Sequence, residues 1–145
     1  MSIKKYTFDF LKKDAVQGFT SHIGLEPISM DIGRFVTRVN IEPRHIQQDG
    51  LVHAGVIATM ADHTAGYAAF TMVSEDKVIL TVEYKINFLR PAKGEYLECR
   101  SKVINAGRKI LVTESEVYAI SAGSETLVAK ALLTMAATSK SKVRS

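Results

Sequence analysis

One carboxylate, Asp62, stands inside the otherwise largely apolar run Val52-His53-Ala54-Gly55-Val56-Ile57-Ala58-Thr59-Met60-Ala61-Asp62-His63-Thr64-Ala65-Gly66-Tyr67-Ala68-Ala69-Phe70. A helix that is apolar nearly all round belongs in a protein interior, where an ionised carboxylate loses its hydration and must be compensated or used. Used, it can deliver oxygen to a carbonyl carbon as a base or a nucleophile. That chemistry also needs donors for the oxyanion that develops. The first N–H groups of a helix are unpaired and lie at the positive end of its dipole, and Ala54 and Gly55 open this one. Asp62 follows Ala54 by about 12 Å along the axis. One chain does not easily bring both to one carbonyl.

Plainer roles stand beside these. A buried Asp can simply bond a neighbouring hydroxyl. His53 can anchor the loop before the helix, and His45 and His63 read as structural or surface residues. Taken alone, Gln47 is an ordinary loop glutamine and Thr81 an ordinary strand threonine. Cys99 reads as a small core residue with no redox role.

The elements that must position these groups follow from periodicity. Phe8, Leu11, Ala15 and Phe19 recur near helical spacing, which predicts an amphipathic N-terminal helix over Tyr6 to Phe19, ending before Gly24. Arg34 to Glu42 alternates, with Phe35, Thr37, Val39 and Ile41 on one face, and predicts a strand. Asp49-Gly50 marks a turn before the long helix, predicted over Ala54 to Val73. Four strands are predicted after it, over Val78 to Leu89, Glu95 to Asn105, Ile110 to Ile120 and Thr126 to Ala137. The third of these breaks its alternation. Short breaks between them suit antiparallel hairpins. One sheet wrapped around one central helix is the economical packing, and the small residues Ala58, Ala61, Ala65, Gly66, Ala68 and Ala69 let strands approach the helix closely.

The 145 residues, 46% of them hydrophobic, suit a single α+β domain. The expected organisation is an N-terminal helix packed on the domain (1–20), the main domain (21–139) and a basic disordered tail (140–145). A single cysteine excludes an intrachain disulfide. No long apolar stretch reads as a signal peptide or a membrane span, so a cytoplasmic protein with no membrane partner is expected. The net charge of +4 favours anionic partners, but the basic residues are not interleaved with aromatics, which argues against nucleic acid. The sequence has no Gly-x-Ser-x-Gly elbow, phosphate-binding Gly-x4-Gly-Lys-Ser/Thr loop, His-Glu-x-x-His motif or paired cysteines, so no metal is expected.

The segment Gln47-x5-His53-Ala54-Gly55-x6-Asp62-x3-Gly66-x-Ala68, followed by Thr81-Val82-Glu83-Tyr84-Lys85-Ile86-Asn87-Phe88-Leu89-Arg90-Pro91-Ala92, resembles the hotdog-fold acyl-CoA thioesterases of the phenylacetate-pathway and hydroxybenzoyl-CoA thioesterase group. The resemblance runs from about Gly24 to Thr138. It implies an antiparallel sheet around the long helix, a homodimer or dimer of dimers with two active sites at the subunit interface, which the distance from Ala54 to Asp62 supports, and hydrolysis of acyl- or aryl-CoA thioesters to free acid and coenzyme A. Coenzyme A enters as part of the substrate, and no separate cofactor is expected. The resemblance implies Asp62 as base or nucleophile and the amide of Ala54, which follows the motif His53, as oxyanion donor beside Gly55. Gln47 would hold the carbonyl or water, and Thr81 would orient the attacking water. Ala54 departs by one methyl group from the family's usual glycine, and a backbone needing positive φ would resist it. Phe88, Leu89, Arg90, Lys93, Arg108 and Lys109 occupy segments that contact coenzyme A in the family. Two other readings are a hotdog enoyl-CoA hydratase or dehydratase, and a non-catalytic acyl-CoA binding protein.

Overall fold

The computed structural model describes residues 4–145. Six strands form one antiparallel sheet in the order β1-β2-β4-β5-β6-β3. They are β1 (Leu25–Asp31), β2 (Arg34–Asn40), β3 (Lys77–Phe88), β4 (Tyr96–Ala106), β5 (Ile110–Ser121) and β6 (Ser124–Ser139). The 17-residue helix α3 (Ala54–Phe70) lies across the sheet, packing on β2 to β6. It ends three residues before the expected Val73, where Thr71 caps it and donates its Oγ1 to Ala68 O at 2.6 Å. This is the architecture implied by the resemblance.

The core is the helix-facing side of the sheet. Phe35, Val39, Leu97, Leu111, Val117, Leu133 and Met135 are buried there against Met60, Ala61, Ala65 and Ala68 of the helix. Polar side chains share that side, which explains the broken alternation of β5. Thr113 and Ser115 point inward with Leu111, Val117 and Ala119, and each is hydrogen-bonded. A buried hydroxyl is tolerated when its partner is supplied by the fold, and a hydropathy pattern does not register that partner.

Three elements depart from expectation. The N-terminal helix divides into α1 (Phe8–Asp14) and α2 (Phe19–His22), with a reversal at Gly18. β1 adds a strand that periodicity does not show, because Pro27 and a bulge between Pro27 and Ser29 interrupt it, and an edge strand accepts both. The expected basic tail forms a helical turn, α4 (Lys140–Val143), directly after β6.

The sheet's other edge is unusual. β3 pairs only with β6, and Ile79 is its single buried residue. Leu80, Val82, Tyr84 and Phe88 are exposed along it.

Candidate active site

Asp62 is half-buried and lies on the stripe of α3 that the sheet leaves uncovered, together with Gly55, Thr59 and Gly66. The sheet encloses the helix on its other sides and leaves this one stripe open. The carboxylate is held from β3, where Thr81 Oγ1 donates to Asp62 Oδ1 at 2.6 Å.

Strict alternation along β3 places Thr81 on the face of Glu83 and Lys85, and a bulge overturns that reading. Thr81 pairs with Met135, but Glu83 pairs with Thr134, so Val82 is the extra residue and the pattern of faces inverts beyond it. Thr81 thus shares the helix side with Ile79, whereas Glu83 accepts a hydrogen bond from Thr134 Oγ1. Tyr84, Ile86 and Phe88 take over the helix side, opposite Leu133, Ala131 and Ala129.

The helix start is built by a short loop. His53 caps it, its Nδ1 accepting from Gly55 N at 2.7 Å, and its own N–H donates to His45 O at 2.8 Å. An acceptor role for Nδ1 puts the proton of the neutral ring on Nε2. A Cβ on residue 55 would come within 2.9 Å of His53 Nδ1, so glycine there permits the cap. The Gly55 amide is consequently engaged and is not a second oxyanion donor in this arrangement. The Ala54 N–H has no acceptor among the described residues. Ala54 does not have positive φ, so the family's glycine is not needed for the backbone to keep this course.

Gln47 lines the same cleft as Ala54. Its Oε1 accepts from Asp49 N, an arrangement that leaves the side-chain NH2 as the donating end. Gln47, Ala54, Phe88, Leu89 and Arg90 line one cleft of about 310 Å³ with Leu51 and Ile57. Asp62 lines a different cavity of about 570 Å³, with Gly55, Thr59, His63 and Tyr84. A single chain therefore separates the two halves of the expected chemistry, with Gln47 and Ala54 in one and Asp62 and Thr81 in the other.

The two basic clusters are also apart. Lys93 lines a recess with Arg90, whose Nη1 donates to Leu127 O at 3.0 Å. Arg108 and Lys109 lie beyond the far end of β4, about 33 Å away along the strand. They share a groove with Lys77 and Lys142, two cations that sequence reading passed over because one opens a strand and the other sits in the expected tail.

The remaining candidates serve the fold. His45 is buried, with Nε2 donating to Ile23 O and Nδ1 accepting from Glu42 N. Burial lowers the His63 pKa, and the neutral ring donates Nε2 to Ala15 O at 2.7 Å. Cys99 is fully buried with its Sγ toward Met60 O, and desolvation pushes the thiol up to about 11. Beside it Ser115 Oγ donates to Ala61 O at 2.7 Å, and Ser101 Oγ lies 2.6 Å from Ser115 Oγ. These groups bond the helix carbonyls just before Asp62, and no motif marked them. No group of three metal-ligating side chains is present among the described residues, and no helix there is long and apolar enough to cross a membrane.

One antiparallel sheet wrapped on one long helix is the hotdog architecture. Residues 49–125 match the family model of the thioesterase superfamily, and the chain belongs to that superfamily. A thioesterase family protein from Silicibacter pomeroyi superposes with a TM-score of 0.88 at 32% identity, covering 92% of this chain and 99% of that one. A Saccharolobus solfataricus protein carrying an esterase name is 31% identical over 126 residues, 86% of this chain and 78% of its own length. The 1,4-dihydroxy-2-naphthoyl-CoA hydrolase of Listeria monocytogenes is 25% identical over 100 residues, 69% of this chain and 81% of its own length. The protein is a thioester hydrolase.

Proposed function

We propose that this protein hydrolyses acyl-CoA thioesters to the free acid and coenzyme A, at two sites each shared by two copies of the chain. The observation that carries the reading is the carboxylate of Asp62, held by Thr81 on the open stripe of α3. Asp62 delivers oxygen to the thioester carbonyl, either by taking a proton from water or by attacking directly, and Thr81 orients the water. The Ala54 N–H of the second copy, which has no acceptor among the described residues of its own chain, stabilises the oxyanion. The NH2 of that copy's Gln47 holds the carbonyl oxygen.

The open edge at β3 supports the pairing. A row of unpaired strand groups with apolar side chains is a template for a second strand. Antiparallel pairing about its middle sets Phe88 of one copy beside Lys77 of the other. The cleft with Gln47 and Ala54 then approaches the cavity with Asp62. The same pairing draws Arg90 and Lys93 toward the second copy's groove of Lys77, Arg108, Lys109 and Lys142, cations suited to the phosphates of coenzyme A. Phe88 and Leu89 line the slot for its apolar arm.

The test is thiol release from short, medium, long and aromatic acyl-CoAs, with Asp62→Ala alongside. Release that collapses in the variant is expected. Release that persists in the variant would overturn the role of Asp62, and saturable binding without release would make the protein a binder.

A further inference from the structure

The reversal between α1 and α2 forms part of the wall around Asp62. Gly18 has φ 56° and ψ −120°, a combination that side-chain-bearing residues avoid. Nothing lies within 4 Å of where its Cβ would stand, so the torsion alone calls for glycine. The turn is fastened to the catalytic helix by its own residues. His63 Nε2 donates to Ala15 O at 2.7 Å, and Tyr67 OH donates to Asp14 Oδ2 at 2.7 Å. His63 follows Asp62 directly, and Tyr67 lies about one turn further on. Thr20 Oγ1 closes the turn on itself, donating to Ala15 O at 2.7 Å.

This anchoring gives Phe19 a fixed place. Its side chain is 65% exposed, the most exposed large hydrophobic group of the described residues, on an otherwise well-tied segment. It lines the cavity of about 570 Å³ together with Gln17, Thr20, Tyr84, His63 and Asp62. Fold packing does not account for a phenyl ring presented in this way. A wall for a bound apolar group does.

We infer that Phe19 is the specificity-determining residue for the acyl group, limiting the enzyme to compact acyl groups that fit between Phe19 and Tyr84. The inference rests on the acyl-CoA hydrolase reading. With the carbonyl carbon at Asp62 and the sulfur leading back to the Gln47–Ala54 cleft of the second copy, the acyl group has this cavity to enter. A compact aryl or short branched group meets both rings there, in the offset or edge contacts that aromatic side chains favour. A long straight chain meets Phe19 end-on.

The experiment measures kcat/KM for acetyl-, benzoyl-, octanoyl- and palmitoyl-CoA with the native protein, Phe19→Ala and Phe19→Leu, and measures inhibition by free coenzyme A in each. The native protein should favour the compact substrates. Phe19→Ala should raise the palmitoyl-to-benzoyl ratio about tenfold, the scale on which a few methylenes discriminate in a pocket. Phe19→Leu should fall between, and inhibition by coenzyme A should not change. An unaltered ratio, or an equal fall for every substrate, would overturn the inference while leaving the hydrolase reading intact. Native protein that releases thiol from none of the four would overturn both.

Discussion

Replacing Ala54 by proline takes the donor hydrogen out of the proposed site and sets the ring's Cδ in its place. Ala54 is the first residue of α3, where proline is well tolerated because that N–H has no intrahelical acceptor. His53 before it already has φ −62° and ψ 135°, the extended conformation that a residue preceding proline requires. The Ala54 N–H bonds nothing among the described residues, so its loss should shift the unfolding free energy by less than about 1 kcal/mol. In the proposed transition state the same N–H faces an oxyanion. Loss of one such donor lowers kcat by about 10²–10³, or roughly 3–4 kcal/mol. Ala54→Gly, which keeps the donor, should retain turnover within about threefold. The assay is kcat for thiol release together with thermal unfolding. The proposed site takes its two halves from different copies, so mixing Ala54→Pro with Asp62→Ala subunits should restore activity. Half of the dimers are hybrids with one intact site, giving about one quarter of native turnover at equal proportions. Ala54→Pro that folds and turns over at nearly the native rate would refute the oxyanion assignment, and mixtures without restored activity would refute the shared site.

Thr81→Val should lower kcat by about tenfold with little change in stability, since the exposed hydroxyl's hydrogen bond is to Asp62 and its methyl contact is kept; unchanged kcat would remove Thr81 from the mechanism. Ser115→Ala should destabilise the fold by about 1–3 kcal/mol in chemical denaturation, because Ser115 Oγ, buried, bridges Ala61 O and Ser101 Oγ. A shift near zero would mean that the pair contributes nothing net. His63, whose pKa burial holds below the ordinary 6.5, binds its proton less readily in the folded than in the unfolded chain. The unfolded state therefore takes up more protons as the pH falls below 6.5, and the stability this group holds above that value is lost there. Unfolding midpoints across pH 5 to 7 should decline less steeply for His63→Gln than for the native protein; parallel slopes would count against this linkage.

Much of the site was legible because its chemistry follows from helix geometry. The apolar run sets α3, the carboxylate within it marks Asp62, and the rise per residue places Ala54 too far away for one chain to use both. These are local properties, and β2, β4 and β6 announce themselves in the same way through alternation, whereas β5 is marked by the turn residues on either side of it. Tertiary structure decided whatever depends on a partner distant in sequence. The bulge at Val82 arises from pairing with β6 and carries Thr81 to Asp62. Ser115 turns inward because Ala61 O and Ser101 await it. Cations as far apart in sequence as Lys77 and Lys142 meet in one groove, and Phe19 reaches the cavity lined by Asp62 because Gly18 reverses the chain and His63 and Tyr67 hold it there. Side-chain type and spacing record what a segment can form by itself. The direction a polar or small side chain finally takes depends on which distant donor, acceptor or strand the fold sets against it.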